Sequence, residues 1–173
     1  MKRHIVLIGL PGSGKTTVGG LVAAQLHAGF VDVDAVIERR EGRPITMIFA
    51  EKGEAAFRIL ERHEMETALA NEPAIIAPGG GWAAQPGAVE DAKTRAFVIY
   101  LRTRADTAAQ RAEPQGTRPL LMGGESPAER MRQLIKQREP AYLQAHDKID
   151  TDKKTAARVA SEVVRLAQTM AGW

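Results

Sequence analysis

The chain has 173 residues, 44% of them apolar, with 24 Lys plus Arg against 21 Asp plus Glu and no cysteine. That length and apolar fraction suit one domain with a packed core and exclude a disordered tail. A net charge of only +3, with few aromatics and none interleaved with basic runs, argues against a nucleic-acid partner, and the absence of Cys excludes disulfides, thiolate metal sites and Cys nucleophiles.

The run His4 to Gly9 reads as a buried parallel strand, short, rich in β-branched residues and closed by a turn. Pro11 and Gly12 end the apolar stretch far short of a signal sequence or membrane span, so a soluble cytoplasmic protein with no membrane association is expected. A helix follows from about Lys15 to His27.

Between strand and helix stands Gly9-Leu-Pro-Gly-Ser-Gly-Lys-Thr16, a full G-x-x-x-x-G-K-[ST] phosphate-binding loop in the strand-loop-helix context that gives the motif its meaning. Gly12 and Gly14 let the backbone curl around a phosphate and turn N–H groups toward it. Lys15 has the reach for the β- and γ-phosphates, and the Thr16 hydroxyl is a ligand for Mg²⁺. The expected ATP-binding set is Gly12, Ser13, Gly14, Lys15, Thr16 and Thr17.

A second strand over Phe30–Val33 leads into Asp32-Val-Asp34. If extended, this alternation points both carboxylates to one side at the C-terminal edge where α/β sheets bind ligands. One carboxylate is suited to hold a magnesium-bound water and the other to accept the proton of an attacking hydroxyl; a solvated helix-capping pair is the competing reading.

Gly53 to Asn71 reads as a packed helix through Phe57, Leu60, Met65 and Leu69. Arg58 and Glu61 lie one turn apart on it, either as a surface ion pair or as an anion-binding arginine with its orienting carboxylate. Ala74–Ala77 forms a third strand, followed by Gly79-Gly80-Gly81, where the backbone can approach a ligand closely; a plain flexible turn is the alternative. Phe97–Leu101 and Lys148–Asp150 complete five strands, and strands alternating with helices imply a parallel sheet.

Pro and Gly punctuate Glu113 to Pro127, which reads as a mobile loop, and Ser126 to His146 as a second packed helix carrying Arg138. These segments together resemble the shikimate kinases, a branch of the nucleoside-monophosphate-kinase-like P-loop proteins. The resemblance rests on the phosphate loop through Gly19, Asp32-Val-Asp34, Gly53-Glu54 with Phe57-Arg58, the glycine triplet, Arg118-Pro-Leu-Leu121, and Arg138 with Pro140 and Tyr142.

The resemblance implies an α/β fold in three layers with a five-stranded parallel sheet ordered 2-3-1-4-5. It implies one domain spanning 1–173, with an acceptor-binding segment at about 33–61 and a lid at about 112–125. The expected reaction transfers the γ-phosphoryl of ATP in line to the shikimate 3-hydroxyl, with Mg²⁺, giving shikimate 3-phosphate and ADP in a monomeric enzyme.

By the same resemblance, Asp34 contacts the shikimate hydroxyls and serves as base, and Asp32 supports magnesium through water. Arg58, Glu61, Gly79, Gly80, Gly81 and Arg138 form the acceptor site. Arg118 belongs to the lid and joins Lys15 in neutralising the transferring group, while Arg111 and Lys153 flank the adenine.

Trp82 stands where the family usually has a small residue, Pro78 precedes the glycines, and Gly20 replaces a frequent long basic residue. Two other readings therefore stay open: a kinase for another small hydroxy acid such as gluconate, and a nucleotide-binding regulatory module without turnover.

Overall fold

The computed structural model describes residues 1–112 and 125–173. Five strands, β1 (His4–Ile8), β2 (Gly29–Asp32), β3 (Ala74–Ala77), β4 (Ala96–Arg102) and β5 (Asp147–Asp150), form one sheet in the order β2-β3-β1-β4-β5. Every pairing is parallel. The helices are α1 (Lys15–Leu26), α2 (Val33–Glu41), α3 (Ile45–Ala70), α4 (Ala88–Ala92), α5 (Ala105–Ala112), α6 (Pro127–Tyr142) and α7 (Ala156–Met170).

Strand alternation splits the core into two layers. On β1, Ile5 and Leu7 pack with Val18 and Val22 of α1 and Val159 and Val163 of α7. Val6 and Ile8 point the other way, into a cluster with Ile37, Ile48, Met65, Tyr100 and Met131. Because both faces of β1 are covered, it is apolar throughout, and each such fully buried side chain stabilises the fold by about 1.5–3 kcal/mol.

The expected strands agree with the observed ones to within one residue. The helix read as starting at Gly53 begins instead at Ile45 and is interrupted at Gly53, whose φ of 82° and ψ of 171° lie outside helical space. Only glycine adopts this conformation freely, and a Cβ there would meet nothing within 4 Å, so the requirement is one of backbone conformation rather than space.

Register brings the chemistry together. Asp32 at the end of β2 sits opposite Ala77 at the end of β3, so the acidic segment and the glycine triplet emerge side by side. The phosphate loop leaves the C-terminal end of β1, between β3 and β4, at the crevice where open α/β sheets hold ligands.

Candidate active site

The phosphate loop wraps around the N-terminus of α1, with Gly12 at φ 78° and Gly14 at φ 93° supplying left-handed turns that a side chain resists. Lys15 is buried, and its Nζ donates to the Gly9 and Leu10 carbonyls, each at 2.8 Å. Ser13 is buried beneath the loop, whereas Thr16 and Thr17 face outward. An open cleft of about 400 Å³ is bounded by Gly14, Lys15, Thr16, Asp32, Asp34 and Pro78, among others.

Asp32 and Asp34 are not an extended pair, as the alternation suggested. Asp32 is the N-cap of α2, its side chain accepting from Ala35 N at 3.2 Å, and Asp34 lies in the first helical turn. The helix starts there because Asp is a strong N-cap and a second Asp favours the positive helix end. Both carboxylates still line the cleft, and Asp32 Oδ2 accepts from the Thr16 hydroxyl at 2.8 Å. The same side chain thus caps the helix and borders the cleft.

The glycine triplet is buried rather than exposed, and none of its members has a positive φ. Its need for glycine comes from close approach. A Cβ on Gly79 would stand 2.7 Å from Glu61 Oε2 and 3.0 Å from Asp34 Oδ1; one on Gly80 would stand 3.2 Å from Arg138 Nη1; one on Gly81 would collide with the Arg58 guanidinium. Gly79 is therefore packed against two carboxylates, Gly80 against Pro11, 2.8 Å from where a Cβ would stand, as well as Arg138, and Gly81 against Arg58, so the fold brings Asp34, Arg58, Glu61 and Arg138 around one turn.

Arg58 donates to fully buried Glu61 at 2.8 Å and meets Glu54 at 3.3 Å, so the sequence pair is an internal ion pair rather than a surface one. Arg138 is 7% exposed, and no carboxylate among the described residues pairs with it. Trp82 is buried in a short 3₁₀ turn (Trp82–Ala84) and belongs to the core beside Ala83 and Val89. It lines a cavity of about 80 Å³ that Arg58 and Arg62 also border.

A further cavity of about 230 Å³ adjoins the phosphate loop, lined by Gly14, Thr17, Arg111, Thr151 and Lys154. Lys153 is exposed at a left-handed φ of 59°, and its neighbour Lys154, paired with Glu162 at 2.9 Å, forms the wall. Arg118 lies outside the described residues, as does residues 113–124 of the segment read as a lid.

Comparison with known proteins identifies the family. The shikimate kinase family model matches residues 11–168. The chain belongs to the shikimate kinase family. Membership makes it an ATP-dependent phosphotransferase of aromatic amino acid biosynthesis. A shikimate kinase from Mycobacterium avium is 41% identical over 165 residues, covering 95% of this chain and 93% of that protein. The shikimate kinase from Acinetobacter baumannii, solved in complex with shikimate, superposes with a TM-score of 0.92 at 35% identity over 98% of this chain and 94% of that one.

A gluconokinase from Sinorhizobium meliloti reaches a TM-score of 0.63 at 17% identity, covering 98% of this chain and 94% of its own. That likeness extends to the fold alone. Among the described residues, no helix is long and apolar enough to cross a membrane.

Proposed function

We propose that this shikimate kinase family member transfers the γ-phosphoryl of ATP to the 3-hydroxyl of shikimate, and that the residues around the glycine triplet bind the acceptor. The carrying observation is Arg138: a guanidinium nine-tenths buried, without a carboxylate partner among the described residues, held against Gly80 and across the triplet from Arg58. A buried cation of this kind is costly unless an anion completes it. The planar fork of Arg suits a carboxylate, which shikimate carries.

On this reading Asp34, at the mouth of the phosphate cleft and beside Gly79, receives the attacking hydroxyl, orients it and accepts its proton. Glu61 holds Arg58 in place through their 2.8 Å hydrogen bond. Lys15 leaves its loop carbonyls to meet the β- and γ-phosphates, and Arg118 adds positive charge to the transferring group. Arg111 and Lys154 border the cavity for the adenine, with Lys153 beside them at the surface.

The donor set fits Mg²⁺. Thr16 Oγ1 and Asp32 Oδ2 are hard oxygens 2.8 Å apart at the cleft mouth, and Mg²⁺ takes few protein ligands and keeps several waters. Thr16 would ligate it directly and Asp32 through water. When bound, the ion neutralises negative charge on the phosphates. The reading extends to a single cytoplasmic domain over 1–173, monomeric, with about 33–61 binding the acceptor and about 112–125 closing over the nucleotide.

Phosphorus NMR of the protein with ATP, Mg²⁺ and shikimate tests the reaction. A new phosphomonoester resonance matching shikimate 3-phosphate, growing as ADP appears, is expected. Inorganic phosphate alone would contradict it.

A further inference from the structure

Tyr142 is completely buried on α6, one helical turn beyond Arg138, and its hydroxyl donates to the Gly80 carbonyl at 2.6 Å. Residues four apart share a helix face. One face of α6 therefore meets Gly80 twice, through the Tyr142 hydroxyl bonded to its carbonyl and through Arg138 Nη1, 3.2 Å from where a Cβ would stand.

The consequence passes through the peptide plane. The Gly80 carbonyl and the Gly81 N–H belong to one rigid trans unit, so fixing the oxygen fixes the direction of the N–H. Gly81 is buried and, among the described residues, nothing accepts from its N–H. A buried backbone donor of this kind calls for a partner, and Gly81 itself is packed against the Arg58 guanidinium, which takes the space of a Cβ there.

Tyr142 is itself held firmly. Its ring lies 5.0 Å from that of Tyr100, tilted by 31°, and the Tyr100 hydroxyl donates to Glu139 Oε2 at 3.0 Å. Burial first, and the Glu139 carboxylate second, push the Tyr100 hydroxyl far above its ordinary range, so it remains a donor. Glu139 in turn faces Arg102 at 3.6 Å.

We propose that Tyr142 is a positioning residue for the acceptor: its hydroxyl sets the plane of the Gly80–Gly81 peptide, aims the Gly81 N–H into the acceptor site, and couples that turn to the helix carrying Arg138. The inference rests on the reading that the triplet faces the acceptor. It explains why a tyrosine, rather than a phenylalanine of equal packing volume, stands at a site with no access to solvent.

The test compares wild type, Tyr142→Phe and Tyr100→Phe in steady-state ADP release with shikimate and ATP varied separately, alongside thermal melts. Tyr142→Phe should raise the shikimate KM about fivefold or more while the ATP KM stays within about twofold, as expected for one misdirected hydrogen bond. Tyr100→Phe also loses a hydroxyl bond in this cluster but should leave the shikimate KM within about twofold.

An unchanged shikimate KM in Tyr142→Phe overturns the inference. So does an equal rise in both variants, or a collapse of Tyr142→Phe melting, which would make the bond one of general structure. Shikimate-independent turnover by wild type would remove the proposed function itself, whereas normal wild-type turnover with an indifferent Tyr142→Phe removes only the role of Tyr142.

Discussion

The guanidinium of Arg58 occupies the space a Cβ on Gly81 would fill, so glycine at 81 is a condition for where that arginine lies. Gly81→Ala should displace Arg58 and raise the shikimate KM about tenfold or more, the loss expected when one charge-assisted contact is misplaced. The ATP KM should hold, because the atoms nearest a Cβ on Gly81 all belong to Arg58 and none to the phosphate loop. Initial-rate kinetics with each substrate varied checks this.

Arg138→Lys keeps the charge but removes the planar fork. About 2 kcal/mol of acceptor binding should be lost, roughly thirtyfold in shikimate KM, if the guanidinium grips both carboxylate oxygens. An acceptor analogue whose carboxylate is replaced by an amide should bind weakly to wild type and lose little further affinity in the variant. Titration calorimetry with both ligands measures the difference.

Asp32 both caps α2 and faces Thr16, and one substitution separates these roles. Asn caps about as well as Asp, so Asp32→Asn should melt close to wild type while requiring several-fold more Mg²⁺ for half-maximal rate. Asp32→Ala should show the same magnesium defect and also lose about 1 kcal/mol of stability. Magnesium titrations of rate, paired with melts, resolve the two.

His4 and His146 use Nδ1 to accept from backbone N–H groups, from Ala74 at 3.1 Å and Val98 at 3.0 Å. Burial is the main cause lowering both imidazoles, opposed at His4 by backbone carbonyl contacts and reinforced at His146 by Arg3 and Lys93. With folded values below the unfolded value near 6.5, their stabilising effect is complete above about pH 6.5 and is lost as pH falls from there through the folded values. Melting temperature should drop as pH falls below about 6.5, and the His4→Asn, His146→Asn double variant should flatten that slope.

Gly19 and Gly20 are neighbours on α1 with opposite expected outcomes. A Cβ at Gly20 meets nothing within 4 Å, so Gly20→Ala should stabilise by about 0.5–1 kcal/mol and raise the melting temperature by about 2–4 °C without altering kinetics. A Cβ at Gly19 would stand 2.5 Å from the Phe30 ring, so Gly19→Ala should lower it.

Local signals made much of this legible. The phosphate loop, the strands and the helix carrying Arg58 and Glu61 each announce themselves within a few residues, because turn chemistry and hydrophobic period are short-range properties. For Asp32 and Asp34 the sequence leaves extension and capping open, because a strand end and an N-cap use the same residue types, and the structure resolves it with Asp32 as the N-cap of α2. The start of α3 at Ile45 is hidden in the sequence because Gly53 reads as a boundary when it is an interruption within the element.

Other features were beyond single-sequence logic. The burial of the glycine triplet, the absorption of Trp82 into the core and the bond from Tyr142 to Gly80, 62 residues apart, depend on contacts that only the assembled sheet creates. The helix α7, whose Val159, Val163 and Leu166 cover the sheet, carries its signal in helical spacing alone, with no motif beside it. Which of Lys153 and Lys154 lines the cavity beside the phosphate loop is likewise settled by one residue of turn geometry, which puts Lys154 in the wall.

The most direct measurement is ADP release from ATP and Mg²⁺ with shikimate, gluconate or quinate as acceptor, using Lys15→Met as the blank. The account predicts rapid release with shikimate, little with the other two, and none above background in the variant. ATP binding without stimulation by shikimate, or stronger stimulation by gluconate, would contradict it and point to an acceptor pocket altered around Trp82.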